Sequence, residues 1–130
     1  MTDRLKARLT EVRVALINSH KALVDEERVS YEKTVGPVQS PNHFLQLLTS
    51  DPWFAWLQPL SQFIVKLDEQ LDAGESMTVV EGDALLKEAR ALMTPSENGQ
   101  GFARHYFDAL QADADVVIAH SDLMQLLGRK

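Results

Sequence analysis

From residue 3 to residue 34 apolar side chains return every three or four positions. Leu5, Leu9, Val12, Leu16 and Leu23 share one face with His20 and Glu27, and Val24 and Tyr31 lie at its edge. This period predicts one helix of about 48 Å, capped by Thr2 and ended by Gly36-Pro37, where proline disfavours a helical predecessor and lacks an N–H. Ser40-Pro41 opens a short helix through Thr49 that carries Phe44, Leu45, Leu47 and Leu48. Asp51-Pro52 repeats the cap-plus-proline device. It predicts a helix from Pro52 to about Asp72 with Trp53, Leu57, Leu60, Ile64, Leu67 and Leu71 as its seam. Trp56 and Phe63 flank that seam on one side and Phe54 on the other, so the apolar stripe is wide, and Ala73-Gly74 supplies a stop. Thr78-Val79-Val80-Glu81 has the form of a capping box. The helix that follows ends near Met93 and turns Leu85, Leu86, Ala89 and Leu92 inward. After a turn at Asn98-Gly99-Gln100-Gly101, a last helix runs from about 100 to 127 with Tyr106, Leu110, Val117, His120, Met124 and Leu127 on one face. Asp113 either sits on that face of a continuous helix or caps a new one.

No segment alternates with the period of a strand. The expected fold is all-α, a single helical domain over residues 1–130: a four-helix, up-down bundle-like arrangement with one short extra helix between helices 1 and 2. If the first and last helices run antiparallel with residue 5 opposite residue 125, His20 lies level with Leu110, and His120 level with Thr10 and Val12.

Composition narrows the chemistry. The chain has no cysteine, which excludes disulfides, thiolate metal sites and cysteine nucleophiles. Its net charge of −6 argues against general nucleic-acid binding, which draws on phosphate neutralisation. Arg4, Lys6, Arg8, Arg13, Arg129 and Lys130 form a basic pole if the chain ends meet, but a solvated surface is the expected reading. No secretory leader is expected, because the charged N-terminal segment has no continuous apolar stretch. No apolar run reaches the roughly 18 residues of a membrane helix. A cytoplasmic location, with no membrane partner, follows as the expectation.

No catalytic motif stands out. Gly99-x-Gly101 lacks the third glycine of a dinucleotide fingerprint, and neither a Walker A loop nor Gly-x-Ser-x-Gly occurs. The candidate site is a set of polar and aromatic residues expected in the upper half of the bundle: His20, Glu27, Tyr31, Trp53, Trp56, His105 and Tyr106. Such a set suits the lining of a ligand pocket. If His20, Glu27 and His105 converge they supply imidazole and carboxylate donors for a metal, although no Glu-x-x-His pair is present and no cofactor is expected. Each residue also has an ordinary packing role open to it. Val14 and Val29 point away from the first helix's core stripe and Phe54 stands beside the tryptophan seam, so these three are the expected interaction surface.

The segments His20–Arg28 and Tyr31-Glu32-Lys33, followed by Asp51-Pro52-Trp53-Phe54-Ala55-Trp56-Leu57, resemble a group of small, uncharacterised bacterial all-helical proteins. The resemblance implies a bacterial cytosolic helical protein and carries no activity, cofactor or site residue. The expected function is therefore a non-enzymatic helical interaction or regulatory module, self-associating or bound to a protein partner. The alternative is a bundle that binds a metal ion or small ligand through its His/Glu/aromatic cluster.

Overall fold

A computed structural model describes residues 3–73 and 77–128. The expected Thr2 cap, the Gly74 stop and the C-terminal pair Arg129-Lys130 lie outside the described residues. The described chain is all-helical: α1 (Asp3–Thr34), α2 (Pro41–Ser50), a 3₁₀ segment (Pro52–Leu57), α3 (Gln58–Ala73), α4 (Val79–Leu92), α5 (Phe102–Ala112) and α6 (Ala114–Leu127). No strand occurs among the described residues, and none of their helices is long and apolar enough to cross a membrane.

The caps form as their residues dictate. The Ser40 hydroxyl accepts from the His43 N–H, and Thr78 and Glu81 complete a reciprocal capping box. Two of the expected helices are interrupted, each at a residue with a physical reason. The tryptophan helix begins as 3₁₀. Pro59 has no N–H to offer the Ala55 carbonyl four residues back, and the Gln58 N–H takes that carbonyl instead with three-residue spacing. At three residues per turn, Phe54 and Leu57 align and go into the core together, while Trp53 and Trp56 align on the half-buried flank. Phe54 is 1% exposed. Its assignment to an interaction surface is thereby overturned.

The second interruption is at Asp113. Its backbone is extended, its N–H closes α5 on the Ala109 carbonyl, and its Oδ1 accepts from the N–H groups of Asp115 (2.7 Å) and Val116 (3.3 Å). Asp113 thus ends one helix and caps the next. The new phase buries Val116 and leaves Val117, expected inside, on the surface.

α1 is the spine, with α3, α4, α6 and the 3₁₀ segment all packed against it. Glu27 meets Trp53 and Arg13 meets Asp68, so α1 and the segment from Pro52 to Ala73 run in opposite directions. Arg8 reaches the Leu127 carbonyl and the Glu26 carboxyl lies beside Asp113, so α6 is also antiparallel to α1. α4 comes closest at Gly82, where an added Cβ would stand 2.7 Å from Leu5 Cδ2. The missing side chain lets the two helices touch.

Candidate functional site

The seven residues expected to form one cluster divide into two aromatic groups, with His20 in neither. The first group closes the C-terminal end of α1 over α2 and the 3₁₀ segment. Tyr31 meets Trp53 edge-on with ring centroids 5.8 Å apart and lies 5.5 Å from Phe54, which in turn meets Phe44 edge-on at 5.8 Å. The Trp53 indole Nε1–H donates to Glu27 Oε2 at 2.8 Å. The Arg28 guanidinium sits 5.0 Å above the Phe44 ring and pairs with Glu32, whose other oxygen accepts from the Val38 N–H. Glu27 is therefore half of a helix-to-helix latch: an acidic residue on an apolar face, satisfied by an indole donor.

The second group joins the 3₁₀ segment to α5 and α6. Trp56 stacks on His105 at 4.9 Å and 15°, and lies 5.6 Å from Phe102. Phe102 packs on Tyr106 at 5.5 Å, and Tyr106 meets His120 edge-on. The Tyr106 hydroxyl and His120 Nδ1 are 2.6 Å apart. The expected register placed His120 in the lower half beside Thr10 and Val12. In an unbroken helix residues 106 and 120 would be about 21 Å apart. The break at Asp113 folds α5 back against α6 and brings them into contact.

Burial sets the protonation of this pair. It raises the pKa of the Tyr106 hydroxyl far above its ordinary value and lowers that of the His120 imidazole. The phenol stays protonated and the imidazole neutral; because Nδ1 is the acceptor within reach of the buried O–H among the described residues, the O–H is assigned as donor and the ring proton placed on Nε2. His20, half-buried on α1, is also lowered by burial. Glu26 is raised, first by burial, then by its hydrogen bond to Asp113 and the negative charges of Asp113 and Glu27, with Lys33 acting in the opposite direction.

His20, Glu27 and His105 do not gather into a donor set. Among the described residues no three His, Asp or Glu side chains stand together as a metal-holding group. Four surface concavities, of about 560, 290, 600 and 190 Å³, lie elsewhere, and none is lined by any of the seven residues. The aromatic groups are filled by their own rings. Sequence reasoning placed Trp56, His105 and Tyr106 together as found, but it missed Phe102 and His120 as their partners. The available signals were Asp113 as a cap and a histidine on the apolar face of the following helix.

Comparison with protein-family models, with curated proteins and with solved structures finds no match to this chain.

Proposed function

We propose that this chain is a non-enzymatic helical interaction module that associates with a second copy of itself through the outer face of α1 and the adjoining edge of α3. The observation that carries this reading is a set of exposed apolar side chains from two helices at one level of the molecule. Val14 and Ile17, one turn apart on α1, are 49% and 43% exposed, and Val65 on α3 is 54% exposed. The pairs Arg13–Asp68 and Glu27–Trp53 set α1 against α3 in a register that brings Ile17 level with Ile64 and Val65. Single exposed valines are ordinary, but a patch contributed by two helices suits a protein contact. Val29, also exposed, lies about 60° around α1 from Val14 and about 22 Å along it, and extends the apolar outer surface of α1.

The frame that presents the patch reads as a four-helix up-down arrangement of α1, α3, α4 and α6, in which α2 and the 3₁₀ segment close one end and α5 folds back on α6. A bacterial cytoplasm suits a cysteine-free acidic chain of this kind. The alternative, a metal or ligand held by the His/Glu/aromatic cluster, has less support, because Glu27, His105 and Tyr106 each have a packing partner within the fold.

Sedimentation equilibrium of the wild type against Ile17→Lys and Val14→Lys tests the reading. The wild type is expected to dimerise with rising concentration. The lysine variants should remain monomeric with unchanged circular dichroism, since exposed substitutions leave folding nearly untouched. A wild type that stays monomeric at every concentration overturns the self-association.

A further inference from the structure

Three basic side chains of this acidic chain, from two helices, line one concavity. Arg8 of α1 and Arg90 of α4 both donate to a single acceptor, the Leu127 carbonyl in the last turn of α6, with Arg8 Nη2 at 3.2 Å. The same two side chains line the concavity of about 560 Å³, together with Lys87, one turn before Arg90 on α4. A helix C-terminal carbonyl carries a partial negative charge, which falls well short of balancing two guanidinium groups. Among the described residues none of Arg8, Lys87 and Arg90 forms a salt bridge, while Arg13, Lys21, Arg28, Lys66 and Arg104 all do. The buried Nε of Arg8 has no hydrogen-bond partner either, and a buried donor left unpaired is costly. One carboxylate, Asp83, stands in the wall against three cations, and Val80 and Leu86 supply an apolar side.

We infer that this concavity binds a small organic anion, with a phosphate or carboxylate head held by Arg8, Lys87 and Arg90 and an apolar body against Val80 and Leu86. Each guanidinium has five N–H donors, and the Leu127 carbonyl engages one from each, so a fork of donors remains on both. Planar forks match carboxylate and phosphate oxygens, and lysine adds a compact point charge. The volume falls within the range of small-molecule sites. The head group supplies the negative charge that the three cations lack.

Amide NMR titration of the full chain with phenyl phosphate, benzoate and inorganic phosphate, all at one ionic strength, tests the inference. Phenyl phosphate is expected to shift the amides of Val80 through Arg90 saturably. Lys87→Gln and Arg90→Gln should each weaken it by about tenfold or more, the scale of a charge-assisted contact. Saturation by benzoate as well assigns a general carboxylate or phosphate head, and saturation by the phosphates alone assigns a phosphate head. Both outcomes support the site. Among the described residues Lys87 is exposed and makes no hydrogen bond or ion pair, so Lys87→Gln is read without a folding artefact, and a melting curve checks Arg90→Gln. Shifts that do not saturate, that chloride reproduces, or that persist unchanged in the Lys87→Gln/Arg90→Gln double variant overturn the inference.

Discussion

Replacing Tyr106 by phenylalanine deletes one oxygen from the fully buried centre of the second aromatic group and leaves its ring contacts in place. The lost hydrogen bond is 2.6 Å long and has a neutral imidazole as acceptor. Deleting a donor leaves Nδ1 unpaired, which costs about 1–3 kcal/mol when the acceptor is buried. His120 is half-buried, so water reaches the ring in part, and the expected loss is about 1–2 kcal/mol at neutral pH. For a domain of this size that is roughly 5 °C in Tm. The pH dependence distinguishes the bond from loose packing. The folded pKa of His120 lies below its ordinary 6.5. Between the two values the unfolded chain holds more protons, so this group's contribution is whole above 6.5 and is lost as the pH falls through the folded value. In Tyr106→Phe burial still holds the ring's pKa down, but the phenol donor that also favours the neutral ring is gone, so the pKa moves only part of the way toward 6.5. The variant then gives up less stability over the same window, and the difference from wild type shrinks with acid. Urea denaturation at about pH 7.5 and about pH 5, with the His120 pKa followed by NMR, measures both effects. A variant as stable as wild type at neutral pH, or a difference that is constant or grows with acid, would refute the assigned donor and acceptor.

Glu27→Ala should cost about 1 kcal/mol by leaving the half-buried Trp53 N–H unpaired, while Glu27→Gln keeps an acceptor and stays near wild type in urea titrations followed by fluorescence; equal losses would remove the latch. Phe54→Ala should cost about 3–5 kcal/mol and Leu60→Ala about 2–5 kcal/mol as core truncations. Wild-type stability in the Phe54 variant would return that ring to the surface and contradict the 3₁₀ phase. Asp113→Ala should lose about 1 kcal/mol of capping, whereas Asp113→Asn retains the cap. Because the folded pKa of Glu26 is raised above 4.5, its contribution is present at low pH and lost as the pH rises through the folded value. Asp113→Asn should flatten that loss, and parallel denaturation at acid and neutral pH would show whether it does.

Most helix boundaries were legible because they rest on local chemistry. Ser40-Pro41, the Thr78–Glu81 box and Gly36-Pro37 each act within one turn, and the caps and stops appear where their residues stand. Pro59 was equally visible, but its effect concerns the carbonyl of Ala55, four residues back, inside a run whose apolar period looked unbroken. Asp113 offered two outcomes, and the choice depends on what α5 gains by folding back: contacts with Trp56 from the 3₁₀ segment and with His120 from α6. Those partners are distant in sequence. Periodicity reports which face of a helix is apolar and carries no information on which helix it meets.

The candidate site shows the same division. Residue types and spacing alone determined an all-helical chain, the long α1, the short α2, a core of leucines along α1, α3 and α4, and a pool of aromatic and polar side chains on or beside the apolar faces. Tertiary structure decided which of them meet. It separated Trp53 from Trp56, gave Glu27 to an indole and His105 to a ring, moved His120 to Tyr106, and buried Phe54 while leaving Val14 exposed. It also drew Arg8 and Arg90, 82 positions apart in the sequence, onto one carbonyl. The reason is geometric. A one-residue change of phase rotates a 3₁₀ turn by about 120° and an α turn by about 100°, so two local breaks re-aim every side chain after them, and only the packing of whole helices determines where those side chains arrive.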